Sequence, residues 1–146
     1  MYDLLTTFSP TYLPLLKSLE KRILVIEDDT CMKTIISKTA LSLDSLIRID
    51  WAPNSHDATK LLNTRKYIGV LADIILPGNS KSGIELWNEY NKKSNTPFII
   101  MSALAANMYI KRFHHMEKAP PFLPKPFRIS ELKAIIETHF FDATNS

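Results

Sequence analysis

Residues 70–86 read VLADIILPGNSKSGIEL, and one residue in that stretch decides the fold. Val70, Leu71 and Ala72 have the character of a buried strand, and Ile74, Ile75 and Leu76 are just as apolar. Asp73 interrupts the run, and Pro77 with Gly78 closes it. A carboxylate stranded in an apolar core costs on the order of several kcal/mol unless it is paired or bound to a metal. Asp73 therefore either reaches solvent at a strand end or has partners, which the rest of the chain must supply.

On either side of this stretch the same kind of unit recurs. Residues 23–26 form a short apolar run, followed by acids and by the helical stretch CMKTIISKTALSL, where Met32, Ile35, Ile36 and Leu43 fall near helical spacing. Residues 46–51 read as a second strand, and APNSHDATKLLNTRK opens a helix capped by Asn54 or Ser55. Residues 67–72 are the third strand. Gly83 then opens the helix IELWNEYNKK, whose apolar face is Ile84, Leu86, Trp87 and Tyr90.

Pro97 starts the strand FIIM, and AANMYIKRFHHMEK follows as a helix. PFLP is a short fifth strand, and Ser130 with Glu131 leads the amphipathic helix ELKAIIETHF. The βα unit thus occurs five times. That alternation predicts an α/β fold in which a parallel sheet is covered by helices on both faces, because each right-handed crossover must bury an apolar helix face. The strands are apolar throughout, as fully buried parallel strands are.

The gross properties agree. The chain of 146 residues suffices for one domain with a real core, and a composition 45% hydrophobic and 23% charged excludes a disordered polymer. A net charge of +3 is too mild for the dense basic patch of a nucleic-acid binder, and no direct nucleic-acid binding is expected. The single cysteine, Cys31, excludes an internal disulfide framework and suits a reducing compartment. No apolar run reaches the length of a membrane span, and the leucine-rich start is broken by Pro10 and Pro14 and lacks a signal peptide's basic end. A cytoplasmic location is expected, without membrane association.

The residues at the ends of the strands carry the chemistry. Glu27, Asp28 and Asp29 follow strand one, Asp73 follows strand three, Ser102 strand four and Lys125 strand five. In an open α/β sheet these positions lie together along the carboxyl edge, where ligands bind. Asp73 therefore has company: other carboxylates, a hydroxyl and an ammonium group. Clustered carboxylates repel one another without a cation, and an all-oxygen site with no nearby Cys or His ligand suits Mg²⁺ or Mn²⁺ rather than zinc. A metal ion plus a lysine is what holds a dianionic phosphoryl group beside an acidic nucleophile. Asp73 is then placed to attack phosphorus and carry an acyl phosphate.

With these residues in place, the chain resembles a receiver domain of a two-component response regulator, of the chemotaxis-receiver type. The matching segments are ILVIEDD, LADIILPG, GIELW, FIIMSA and FLPKPF, in the family's order. The resemblance implies a five-stranded, doubly wound, flavodoxin-like (βα)5 fold with strand order 2-1-3-4-5. It divides the chain into an N-terminal extension at 1–20, a receiver domain at 21–141 and a tail at 142–146. By resemblance Asp73 is the phosphoacceptor, Asp28 the direct metal-binding acid, Glu27 the acid that holds metal-bound water, and the carbonyl of Ile75 a further Mg²⁺ ligand. Ser102 resembles the switch hydroxyl, Lys125 the lysine that pairs with the phosphoryl group, and Phe122 the switch aromatic; the bond to Pro126 is usually cis in the family. No organic cofactor is implied.

The implied function is a phosphorylation switch rather than a turnover enzyme. A histidine kinase or histidine phosphotransfer protein would donate the phosphoryl group. The face formed by the fourth helix, fifth strand and fifth helix would then bind a downstream target or a second copy. That face includes Lys111, Arg112, Lys118, Arg128 and Lys133, which suits an acidic partner, although a merely solvated face reads equally well. The loop between Pro77 and Gly83 is longer than in the family and borders the site. The leucines 13, 15, 16 and 19 read either as a docking or dimerising helix after Pro14 or as a cap on the core. The chain is either a stand-alone receiver or a piece of a larger regulator.

Plainer readings compete. Asp28 and Asp29 alone would be ordinary acids at a helix N-terminus, worth a few tenths of a kcal/mol to about 1 kcal/mol. Lys125 and Ser102 singly would be a surface lysine and a cap; only the set raises them. His56, His114, His115 and His139 lack partners at ligand spacing, and surface positions suit them better. A magnesium-dependent phosphatase would share the acids and lysine but would want a second acid two residues past its nucleophile, where this chain has Ile75. A flavin-binding module would need a Ser/Thr/Gly-rich loop where EDDTCMK stands. The remaining alternative is a receiver-like scaffold that works without phosphorylation, which would have lost an acid or the lysine. Ile75 and Leu104, both apolar, flank the path of a hydrolytic water, so slow loss of the phosphoryl group is expected.

Overall fold

Five parallel strands form the centre of the computed structural model, which describes residues 20–76, 81–103, 111 and 119–141. They are β1 (Lys21–Ile26), β2 (Ile47–Ala52), β3 (Gly69–Asp73), β4 (Phe98–Ser102) and β5 (Phe122–Pro124), arranged in the order β2-β1-β3-β4-β5. The expected fold class and strand order are both found. Every residue of β3 and β4 is buried, which explains their unbroken apolar sequence.

Helices α1 (Thr30–Leu43), α2 (Ser55–Thr64), α3 (Gly83–Ser94) and α4 (Ile129–Ile136) pack on this sheet. Alternation along each strand divides the core in two. On one face Leu24, Ile26, Val70, Ala72, Phe98 and Ile100 meet Ala58 of α2 and Leu86, Trp87 and Tyr90 of α3. On the other face Ile23, Val25, Leu71, Ile99 and Met101 meet Ile36 and Ala40 of α1 and Leu132 and Ile136 of α4. Of the helix expected over 105–118, only Lys111 is among the described residues, helical and exposed, and His114 and His115 lie outside them. So do Leu104, the leucines before residue 20, residues 77–80 of the long loop and the tail from 142.

Local chemistry sets the helix starts. The Asp29 side chain accepts from the Cys31 N–H at 2.9 Å and begins α1. Of the two candidates for α2 it is Asn54 that caps, its Oδ1 accepting from the Asp57 N–H at 2.8 Å. Ser82 and Glu85 form a reciprocal capping box at α3, each side chain accepting from the other's backbone N–H at 3.2 Å. The last helix begins at Ile129, just ahead of Ser130, because Glu131 reaches back to accept from the Arg128 N–H at 2.9 Å. It then widens into a π-helical turn over Glu137–Phe141, which carries fully buried Phe140 against Gly69. A Cβ at position 69 would stand 2.3 Å from the Phe140 ring, so the first residue of β3 has to be glycine for this contact.

The third strand is displaced from its expected span of 67–72. Tyr67 is drawn out of the ladder, its hydroxyl donating to Asp50 Oδ2 at 2.7 Å, and pairing begins at Gly69 and runs through Asp73. The first strand also begins two residues before the expected 23, at Lys21, which pairs with Ile47.

Candidate functional site

Four strand ends bring the proposed residues to one place. β1 ends beside β3, with Ile26 opposite Ala72, so Glu27 emerges next to Asp73. β4 adjoins β3 on the other side, with Asp73 opposite Met101, and β5 adjoins β4, with Ser102 opposite Pro124. The turn after β5 is tied to β4 by the Lys125 N–H, which donates to the Ser102 carbonyl at 2.8 Å. The Lys125–Pro126 peptide is cis.

From that turn the Lys125 ammonium reaches back across the strand ends. It donates to Asp73 Oδ2 at 2.8 Å and to Glu27 Oε2 at 2.5 Å. Glu27 is only 1% exposed and Asp73 9%, so this single cation holds two carboxylates that are largely out of water. The other Glu27 oxygen accepts from the Asp29 N–H at 3.1 Å, and Asp73 Oδ1 accepts from the Ile75 N–H at 3.1 Å. The lone Asp73 in an apolar run is thus explained: it is the last residue of its strand, and it is paired.

Burial drives the Glu27 carboxyl above its ordinary value, with Asp73 adding to the rise; the Lys125 ammonium and the Asp29 N–H pull the other way without cancelling it. For Lys125, burial works against the charge, but Asp73 and Glu27 outweigh it and hold the ammonium above its ordinary value. Lys125 is therefore a firmly charged cation.

The other expected residues take distinct places. Asp28 is exposed at the rim, one residue beyond buried Glu27. Ile75 is 72% exposed at the mouth, its backbone fixed by Asp73. Ser102 is 1% exposed and is the last residue of β4, not the residue after it. Phe122 is half-buried at the start of β5, on the α3 side of the sheet. Asp29 is the N-cap of α1, so the plainer reading as an acid at a helix N-terminus holds for it. His56 is exposed and His139 half-buried.

Sequence reasoning missed Gly83 as a residue that shapes the site. A Cβ there would stand 2.3 Å from the Asp73 carbonyl oxygen, so α3 can begin against the end of β3 only through glycine. The signal was present in the chain as a glycine directly after a serine cap.

Among the described residues no three Asp, Glu, His or Cys side chains already converge as a metal cluster. The donor chemistry nevertheless fits a hard divalent cation: Asp28, Asp73 and the Ile75 carbonyl offer oxygen only, with Glu27 behind them.

Comparison with known proteins places this geometry. Residues 23–137 match the family described as the response regulator receiver domain. Regulatory protein VanRB of Enterococcus faecalis is 28% identical over 116 residues, which make up 80% of this chain and 50% of that protein. The chain thus spans about half the length of this curated relative. A Francisella response regulator receiver domain aligns with a TM-score of 0.69 at 29% identity, covering 86% of this chain and 99% of that one. The non-phosphorylated HemR receiver domain of Leptospira biflexa gives 0.67 at 28% identity, covering 82% and 93%. TrrA of Thermotoga maritima, solved in complex with Mg²⁺ and beryllofluoride, gives 0.65 at 26% identity, covering 81% and 97%.

Proposed function

The chain belongs to the response regulator receiver domain family of two-component signalling, and on that premise we propose that Asp73 is its phosphorylation site. A phosphohistidine on a histidine kinase or phosphotransfer protein supplies the phosphoryl group. The Asp73 carboxylate attacks phosphorus, the P–N bond to the donor imidazole breaks, and an acyl phosphate forms on the aspartate. Lys125, already 2.8 Å from Asp73, pairs with the charge that arrives, and this is the observation that carries the reading.

Asp28, Asp73 and the Ile75 carbonyl would hold Mg²⁺, with Glu27 as the acid that would hold metal-bound water, and the ion when bound would supply the remaining charge neutralisation. Ser102 and Phe122 act as the switch pair, and the working unit is residues 21–141. The response is a shift between two states that changes affinity for a downstream target or a second copy. The output surface is β5, α4 and the segment before β5, where exposed Arg128 and half-buried Lys133 favour an acidic partner. Multiple turnover is disfavoured, because the position two residues past Asp73 is an isoleucine with no proton to give. A scaffold that ignores phosphate is disfavoured too, since Glu27, Asp28, Asp73 and Lys125 are all retained.

Incubation with Mg²⁺ and acetyl phosphate, read by intact mass, tests this reading. A gain of one phosphoryl group that Asp73→Asn loses is expected. A folded, Mg²⁺-binding protein that gains nothing from acetyl phosphate or from any phosphorylated histidine donor overturns it.

A further inference from the structure

Strand β2 forms one edge of the sheet, on the far side from β5. The carbonyls of Leu46 and Ala52 accept from the N–H groups of Lys21 and Glu27, so the even-numbered residues of β2 bond to β1 and the odd-numbered ones face away. The Ile47 N–H is taken by the Asp44 carbonyl at 3.2 Å. Among the described residues nothing bonds to the outward N–H and C=O groups of Ile49 and Trp51. An edge left open in this way is a template for another strand.

The side chains around Ile49 decide which strand fits. Arg48 and Asp50 flank it, one of each sign, on the face opposite to Ile49. In an antiparallel pair with a second copy, centred on Ile49, each Ile49 exchanges N–H···O=C bonds with the partner's Ile49. The adjoining positions are then the closer, non-hydrogen-bonded pairs, and each sets Arg48 opposite the partner's Asp50. A shift of one strand by two residues is the smallest that keeps outward groups facing each other. It sets Arg48 against the partner's Arg48, or Asp50 against the partner's Asp50, and like charges directly opposite are destabilising. Charges on an edge ordinarily blunt it, whereas this pair disfavours the neighbouring registers and favours one.

Both groups have bonding capacity left. Arg48 donates through Nη1 to the Ser45 and Ile47 carbonyls at 3.2 and 3.1 Å, and its Nε lies 3.9 Å from Glu20; Nη2 has no partner among the described residues. Asp50 accepts from Arg22 on Oδ1 and from Arg65 and Tyr67 on Oδ2, which leaves a lone pair on Oδ1. On the other face Ile49 and Trp51 are only half-buried, and a partner strand would cover them further.

We propose that two copies of this chain associate edge to edge through β2, antiparallel and with Ile49 opposite the partner's Ile49, joining their sheets into one. The contact closes on a two-fold axis, as a parallel pairing of the same strand does not. It leaves β5 and α4 of both copies open.

The test is single-cysteine cross-linking in the full chain carrying Cys31→Ser. Ile49→Cys sits on the two-fold axis, where the Cα separation of about 5.5 Å in a hydrogen-bonded pair lies within disulfide range. Lys38→Cys, more exposed on α1, reports random collision. With oxidised glutathione the linked dimer should form roughly ten-fold faster at position 49 than at 38. Arg48→Glu, which sets carboxylates opposite each other, should bring the rate at 49 down to that at 38. Sedimentation of the chain without added cysteines keeps the test independent of how Ile49→Cys folds: a dimer at roughly 100 μM that Arg48→Glu abolishes is expected. Equal rates at 49 and 38, a contact that Arg48→Glu leaves intact, or a chain monomeric at that concentration each overturns the proposal. No phosphodonor is used and Asp73 is retained throughout, so failure here leaves the phosphorylation reading untouched.

Discussion

Gly83→Ala places a methyl group where the structure has no room for it. The new Cβ would lie 2.3 Å from the Asp73 carbonyl oxygen and 3.0 Å from its carbonyl carbon, while ordinary contact begins at 3.4 Å. The obstacle is backbone, so it cannot rotate away. The start of α3 must retreat from the end of β3 by about 1 Å, or Asp73 must move by as much. Overpacking of this kind costs about 1–3 kcal/mol, and the better helix propensity of alanine returns at most about 1 kcal/mol. A net loss of about 1–2 kcal/mol follows, which lowers the melting temperature by about 3–6 °C for a chain of this size.

The same displacement falls on Asp73, the proposed nucleophile. Misplacement by about 1 Å can cost as much as roughly 10²-fold in rate, so phosphorylation of Gly83→Ala by acetyl phosphate with Mg²⁺ should slow by ten- to a hundred-fold. Gly69→Ala is the control. Its Cβ would meet the buried Phe140 ring at 2.3 Å, far from Asp73. It should lose similar stability yet phosphorylate at the parent rate where both are folded. Urea unfolding and a time course of intact mass measure the two quantities. Parent-like stability and rate in Gly83→Ala would refute the reasoning.

Lys125→Met leaves buried Glu27 and Asp73 without their shared cation and should cost about 2 kcal/mol, less than a fully buried pair because Lys125 keeps some exposure; urea midpoints in EDTA should fall further than midpoints in Mg²⁺. Asp50 accepts from Tyr67, Arg65 and Arg22, and although burial would raise its carboxyl, the Tyr67 and Arg65 hydrogen bonds outweigh it and hold it below the ordinary 3.8. Its stabilisation is therefore complete above pH 3.8 and is lost as the pH falls through the lower folded value. Asp50→Asn should cost about 1–3 kcal/mol at neutral pH and progressively less in acid, and a pH-independent difference in urea midpoint would refute this. Ile75, exposed at the mouth, cannot orient a water, so Ile75→Gln should shorten the acyl-phosphate half-life roughly ten-fold, the worth of one hydrogen bond to the attacking water; an unchanged decay after removal of the donor would contradict it.

Much of this was legible in the chain because the signals are local. The repeated apolar strand followed by an amphipathic helix dictates a parallel sheet, and such a sheet must carry Glu27, Asp73, Ser102 and Lys125 along one edge. What was hidden depends on contacts between distant residues. Nothing near Tyr67 announces that Asp50 will hold its hydroxyl, so the start of β3 was placed too early. The widening of the last helix at Glu137 is set by Phe140 packing over Gly69, a contact across much of the chain. Adjacent acids are hard to separate by type alone: Asp29 caps α1, Glu27 is buried on Lys125, and Asp28 stays at the rim.

The central claim is that Asp73 itself carries the phosphoryl group. After phosphorylation with acetyl phosphate and Mg²⁺, borohydride reduces an aspartyl phosphate to homoserine, which peptide mass mapping locates to a single residue. The account predicts homoserine at position 73 alone, absent from Asp73→Asn and greatly reduced in Lys125→Met. Homoserine at position 28 or 29, or phosphorylation retained on Asp73→Asn, would contradict it.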